Sequence, residues 1–431
     1  MISSMYIVSV PWWSFSCFFI VGAFLVICGV PFSVVELTTI SMVDTLSWVM
    51  IILTLVICSL SILASKKVFL GGMFGEVYIF LLLWVSLALI MTFSSQSMIS
   101  LYWWFEASLI PLVFLIVGWG YQPERLAAVK YMVVYTLAGS LPFMVVILMM
   151  FKFTGSWVLW GSMKMTNWWW FMLAPFLVKL PIYGVHSWLP KAHVEAPVAG
   201  SMILAGLTLK MGGYGLIRVV SVFKSSFSFV EFFLCVMAIW GAFISPLLCI
   251  NQLDMKMLVA YSSVSHMGLV ICGILTLSSW GLSGAVMMMV GHAFSSSGLF
   301  FLVGVIFSWT GSRSFKVCKG VLKIGVAEYF WGFILLGVCM GMPFSINLCG
   351  EVLLIGSCVQ LGLMFCLVMV LMSVLTAAYC FFFFGCLFHG GLSECIRVNE
   401  NSLVDVFVLM VHGMCSFLSV FLCDFFFFNG C

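Results

Sequence analysis

Charged side chains are what this 431-residue sequence has least of: they make up 7% of it, against about 25% in soluble domains, while 64% of its residues are hydrophobic. That balance excludes an ordinary water-soluble globule and reads as an integral membrane protein. The 17 basic and 14 acidic residues are scattered singly or in pairs, for a net charge of +3. No basic stripe tracks phosphates, which excludes nucleic acid as a partner. Cysteine is plentiful but its metal-binding spacing is missing. The 17 cysteines fall mostly inside apolar runs, as at Cys17, Cys28, Cys58, Cys235, Cys249, Cys272 and Cys339, and never as CxxC. Zinc, haem and iron–sulfur patterns are therefore absent, and the thiols read as small buried hydrophobes. An Arg-rich transit segment and a basic n-region with a cleavage site are also absent, so the first apolar run is expected to stay as a span. Phenylalanine tracts at 381 and 425 fit drift among interchangeable apolar residues in an organelle-encoded gene.

Apolar windows of about 20 residues, the length that crosses ~30 Å of hydrocarbon, are what fills the sequence. They lie near 12–33, 46–65, 76–95, 98–119, 126–150, 168–184, 197–220, 228–250, 256–277, 281–309, 321–360, 361–388 and 403–428. The expected fold is an all-α polytopic membrane protein of about 13 transmembrane helices. Two of these should be broken. Pro181 interrupts the sixth, at Lys179 to Gly184, and Gly341, Pro343 and Gly350 interrupt the long eleventh. Interrupted helices persist at membrane depth only where protein or water satisfies the freed backbone, which predicts a lined cavity at both places. Loop charges set the orientation. Lys66, Lys67, Arg125, Lys191, Lys256, Arg313, Lys316, Lys319 and Arg397 fall on the side of the N-terminus, against Lys152, Lys164, Lys224 and Arg218 on the other. The N-terminus is thus expected inside and the C-terminus outside. The chain divides into N-terminal helices (1–75), a core (76–388), and a C-terminal loop with the last helix (389–431). Within the core, blocks 76–220 and 228–388 each hold five spans and one broken helix, the pattern of an inverted repeat in ion transporters.

Six titratable residues inside these spans make up a series across the membrane interior: Glu106, Lys179, Lys210, His266, His292 and Glu351. A charge at mid-bilayer costs ~2.5 to 3.5 kcal/mol on insertion scales, so such groups pair, line wet cavities or handle ions. Glu106, in "FEASLIP", needs a cation nearby, and Lys179 is the expected one; a structural ion pair fixing helix register stays open as the bland reading. Lys210, in "LAGLTLKMGGYG", is too deep in its span to snorkel, and the small residues around it let neighbouring helices approach. His266 and His292 sit mid-span beside Ser and Tyr. Imidazole can give and accept a proton near neutral pH, although a lone histidine can simply bond a carbonyl. With no HExxH and no facing carboxylates at ligand spacing, metal is not expected. Acid, base and imidazole alternating through the membrane interior resemble a proton relay.

The stretches "VKLPIYGVHSWLPKAHVEAPVAGS", "LKMGGYG", "FEASLIP", "GWGYQPERL" and "AYSSVSHMGLV" resemble the chain 4 family of mitochondrial NADH-ubiquinone oxidoreductase over about residues 34–428. These are antiporter-like, proton-pumping membrane subunits of respiratory complex I. The resemblance implies a multi-pass protein of the mitochondrial inner membrane with other membrane-arm subunits on both sides, together with lipids, protons and internal water. It implies no cofactor in this chain, with NAD, FMN, iron–sulfur clusters and ubiquinone elsewhere in the complex. It also implies roles: Glu106 and Lys179 as a switchable ion pair, Lys210 as the central relay, His266 and His292 on the same axis, and Glu351 exchanging protons toward the outlet.

Two departures from the family pattern stand out. Only one span precedes the segment matching the family's third, so the first family helix is expected to be missing, in agreement with an N-terminus inside. Val129 and Lys130 stand where relatives usually show Gly and an uncharged residue, and Lys130 near a span end fits snorkelling. The alternative function is a subunit of a multisubunit cation/proton antiporter, with a structural membrane scaffold third.

Overall fold

The computed structural model describes residues 12–29, 35–36, 41–71, 74–155, 169–222, 229–391 and 403–426. Lys164, Lys224 and Arg397 of the charge count, and part of the second phenylalanine tract, lie outside the described residues. The chain is helical: α1 Trp12–Cys28, α2 Thr45–Ala64, α3 Lys66–Gly71, α4 Gly75–Phe93, α5 Met98–Ala107, α6 Leu109–Trp119, α7 Arg125–Thr154, α8 Trp169–Lys179 and α9 Trp188–Glu195. There follow α10 Val198–Ile203, α11 Leu209–Val222, α12 Phe229–Ile250, α13 Met255–Leu275, α14 Ser279–Thr310, α15 Val326–Cys339, α16 Ile346–Ser357, α17 Leu363–Phe388 and α18 Leu403–Leu418. Val35–Glu36 and Met42–Val43 form a short antiparallel pair.

Ten helices among the described residues are long and apolar enough to cross a membrane alone. The other three windows hold shorter apolar helices: Trp13–Ile27, Trp170–Lys179, and the pair Val326–Cys339 and Ile346–Leu361. Helix starts follow local chemistry. Asp44 caps α2 by accepting from Ser47 N at 2.9 Å while its own N–H donates to Ser47 Oγ at 2.7 Å, and Ser97 caps α5 through Ser100 in the same reciprocal way.

Burial sorts the helices into a centre and a rim. The central windows of α13, α14 and the α10–α11 span are 94% buried, whereas those of α17 and α18 are 33% buried, with Leu363, Met364, Val374 and Leu418 exposed. Small residues permit the tight centre. At Gly350 an added Cβ would lie 2.9 Å from Met288 N, and at Gly284 one would lie 2.9 Å from Leu353 Cβ, so α14 and α16 meet backbone to backbone.

Both expected breaks are present and are built alike, but Gly350 takes no part in the second one: it lies inside the continuous helix α16, where it lets α14 approach. At the end of α8, Leu180 N donates to Phe176 O and Ile182 N to Leu177 O; at the end of α15, Met340 N donates to Leu336 O and Met342 N to Gly337 O. The next carbonyl has lost its ordinary α-helical donor, and a side chain from the returning helix bonds it, joined at Val338 O by Gly341 N at 3.2 Å. Trp188 Nε1 donates to Val178 O at 3.1 Å, and Asn347 Nδ2 donates to Val338 O at 2.9 Å. Lys179 and Cys339 therefore hold equivalent places, each the last residue before its break.

Candidate functional site

Lys210 begins where helix geometry changes. Residues Leu204–Thr208 form a π-helical turn between α10 and α11, which offsets the carbonyls of this stretch from the ordinary α ladder. Lys210 Nζ donates to Ala205 O at 2.7 Å and stands 2.9 Å from His292 Nδ1 on α14, with none of the lysine exposed. Two of its three donor directions are thereby satisfied without a carboxylate.

From Lys210 the row continues through α14, α13 and α16. The His292 and His266 ring centroids are 5.5 Å apart at 53°. His266 Nδ1 lies 3.9 Å from Glu351 Oε1. Among the described residues, His292 Nε2, His266 Nδ1 and Glu351 Oε1 have no hydrogen-bond partner. The structure thus brings Lys210, His292, His266 and Glu351 into one buried line on four helices.

Glu106 and Lys179 form a second group. Lys179 Nζ lies over the Phe105 ring at 4.9 Å to its centroid, and the Glu106 carboxylate is within electrostatic reach of it and within hydrogen-bonding reach of Ser140. The two charges do not form a close ion pair of the kind that joins Arg218 to Asp44 at 2.6 Å. Phe105 and Phe176 stack edge to face at 5.7 Å, and Phe176 packs against α11 at Gly215, which couples this group to the Lys210 helix by contact. Lys130 is exposed on α7, away from both groups.

Residues that reading the sequence passed over lie at one end of the bundle. The segment "HSWLPKAHVEAP" reads as a loop, yet α9 folds back into the bundle and buries His193 fully. The His193 ring stacks on Phe300 at 4.6 Å and 5°, neither ring nitrogen has a partner, and it lies within electrostatic reach of both Lys256 and Lys210. Lys256, counted as a loop charge, is buried and donates to Ala196 O at 2.8 Å. Arg313 donates to Val194 O at 2.6 Å and lies 3.9 Å from Glu195, whose Oε2 accepts from Gln122 N. A cavity of about 890 Å³ opens beside them, lined by Tyr131, Lys191, Glu195, Asp254 and Arg313. At the opposite end of the bundle Asp44 and Arg218 form a two-armed salt bridge, with Tyr214 donating to Phe93 O at 2.8 Å beneath it. Among the described residues no group of three or more His, Cys, Asp or Glu is placed to hold a metal ion.

Comparison with known proteins bears on the family and the fold. Residues 1–92 match the model for the amino terminus of NADH-ubiquinone oxidoreductase chain 4, and residues 95–376 match the NADH:quinone oxidoreductase/Mrp antiporter transmembrane family. The chain is 43% identical to NADH-ubiquinone oxidoreductase chain 4 of Mytilus edulis over 397 residues, covering 90% of each chain. It is 41% identical to that of Ceratitis capitata over 375 residues, covering 86% of this chain and 84% of the relative. The fold is similar to a chain of respiratory complex I from Thermus thermophilus, with a TM-score of 0.87 at 20% identity over 98% of this chain and 93% of that one. A chain of the Mrp complex from Dietzia sp. gives 0.84 at 16% identity, over 96% and 90%. With relatives this similar over most of its length, the chain belongs to the NADH-ubiquinone oxidoreductase chain 4 family.

Proposed function

We propose that this chain is a core membrane-arm subunit of respiratory complex I, translocating protons across the mitochondrial inner membrane as NADH is oxidised by ubiquinone elsewhere in the assembly. The observation that carries the reading is the buried line Lys210, His292, His266, Glu351, in which Lys210 Nζ and His292 Nδ1 are 2.9 Å apart and His266 Nδ1 is 3.9 Å from Glu351 Oε1. Such a line has no value as packing and ready use as a path for protons.

In this mechanism a proton enters from the inner side at the cavity beside Glu195 and reaches Lys210 past His193. A change in the neighbouring subunit alters the Glu106–Lys179 interaction, and the field at Lys210 changes with it. The Lys210 ammonium then loses a proton to His292 Nδ1: one N–H bond breaks and another forms, and the charge passes to the imidazole. His266 receives it next, and Glu351 takes it up as a carboxylic acid before release on the outer side. The equivalent breaks after Lys179 and Cys339 support dividing the core into like-built halves, 76–220 and 228–388, between 1–75 and 389–431. NAD, FMN, iron–sulfur clusters and ubiquinone are assigned to other subunits, with membrane-arm subunits and lipid as this chain's neighbours.

The test is the intact complex in sealed vesicles, fed NADH and a quinone without sodium. Inward acidification that persists supports proton translocation. Flux that requires sodium would replace this reading with the cation/proton antiporter one, and unchanged turnover after Glu106→Gln with loss of assembly on deletion would leave only a scaffold.

A further inference from the structure

His266 has two ring nitrogens with different surroundings. Nδ1 faces Glu351 Oε1 at 3.9 Å and has no hydrogen-bond partner, as does the Nε2 of the adjacent His292. Nε2 instead faces the Tyr379 hydroxyl of α17 at 3.3 Å and Cys339 Sγ at 3.7 Å, and those two atoms are 3.7 Å from one another. All three side chains are buried. A neutral imidazole carries one proton, and the hydrogen bond at one nitrogen decides what the other nitrogen can do. The assignment that leaves Nδ1 free to accept a proton has His266 Nε2–H donating to the Tyr379 oxygen and the Tyr379 hydroxyl donating to Cys339 Sγ.

We propose that Tyr379 is a positioning residue that anchors the Nε2 proton of His266, so that Nδ1 alone exchanges protons between His292 and Glu351. This rests on the relay reading above and deepens it. The balance is simple. The Nε2–H bond of His292 breaks as an N–H bond forms at His266 Nδ1, giving an imidazolium; that Nδ1–H bond then breaks as an O–H bond forms on Glu351, cancelling both charges. Nε2 keeps its proton throughout.

The helix break contributes to the arrangement. Cys339 is the last residue of α15, in the place that Lys179 holds at the other break, so the second break presents a thiol to the path. Two residues on, Gly341 has φ +77°, and an added Cβ there would lie 3.1 Å from Glu351 Oε2. The carboxylate is therefore seated in the break and directed at the exchanging edge of His266.

The experiment is Tyr379→Phe in the intact complex, which keeps the ring and removes the hydroxyl. Infrared difference spectra of histidine-labelled complex, triggered by NADH, should show His266 as one neutral tautomer in the wild type and as a mixture in the variant. Protons moved per unit time should fall about five- to tenfold. Cys339→Ala, which deprives the hydroxyl of its acceptor, should give the same tautomer mixture with a smaller loss, about two- to threefold, and serves alone if the first variant does not assemble. A single unchanged tautomer together with wild-type pumping in these variants would overturn the proposal. Glu351→Gln, measured in parallel, separates the two failures: if it too pumps fully, the relay itself is wrong, and if it does not, only the role of Tyr379 is.

Discussion

Lys210 Nζ lies 2.9 Å from His292 Nδ1 while its other bond, to Ala205 O, is supplied by the π-helical turn just before it. An ammonium held this way can give up a proton without breaking a salt bridge, since no carboxylate is among its bonded partners. Lys210→Arg keeps the positive charge but removes the ability to deprotonate, because a guanidinium stays protonated in proteins. We expect the variant complex to assemble and to lose at least about tenfold in NADH-linked proton movement, with an effect as large as that of a neutral replacement. Normal pumping with arginine would show that only charge is needed at this position.

At the other end of the bundle, the Asp44–Arg218 bridge ties the start of α2 to the end of α11. Burial pushes the Asp44 carboxyl up, but the hydrogen bond and charge of Arg218, with two bonds from Ser47, outweigh it and hold the group below the usual carboxylate range. A lowered value means the bridge contributes fully above about pH 4 and is lost as the pH falls through the folded-state value. Asp44→Asn should cost about 3 kcal/mol and abolish that acid limb, as read from thermal denaturation of the purified complex between pH 3 and 7. Equal acid sensitivity in the variant would contradict this.

Gly215 sits where the Phe176 ring crosses α11: a Cβ there would fall 2.0 Å from Phe176 Cε1. Phe176 also packs on Phe105, the ring under Lys179. Gly215→Ala should therefore destabilise by about 1 to 3 kcal/mol and lower pumping together, because the overpacking is transmitted to the Glu106–Lys179 group. Stability lost with coupling intact would confine Gly215 to packing.

Among the described residues neither His193 nitrogen has a partner, and Lys256 and Lys210 are both within electrostatic reach of the ring. Its stacking on Phe300 is as well served by another ring. His193→Phe should leave assembly and melting within about 0.5 kcal/mol of wild type while slowing proton uptake severalfold. A loss of folding with full pumping in the assembled fraction would assign it a structural part instead.

Much of this was legible in the residues. Among the described residues ten of the apolar windows hold helices long enough to cross a membrane and the others hold shorter apolar helices, and Pro181, Gly341 and Pro343 fall at the two breaks. The depth of Lys210 and the nearness of His266 to His292 follow from their mid-span positions. The rest depends on tertiary contacts without a local pattern. Nothing in "LAGLT" announces a π turn, and "KAHVEAP" is polar enough to look like a surface loop although α9 carries His193 inward. Lys256 opens α13 like any flanking cation, and its burial arises only because Val194 and Ala196 of another segment offer it carbonyls. Tyr379 and Cys339 pass as ordinary core residues until the fold sets both against one imidazole nitrogen. Even Glu106 and Lys179, a pair suggested by charge alone, do not meet as a close ion pair, and Lys179 lies over the Phe105 ring.

The most direct measurement is the number of protons translocated per NADH oxidised by the intact complex, wild type against Lys210→Met. If protons pass from Lys210 through His292 and His266 to Glu351, the variant's ratio and its turnover both fall. A full ratio at normal turnover would remove Lys210 from the path and contradict the account.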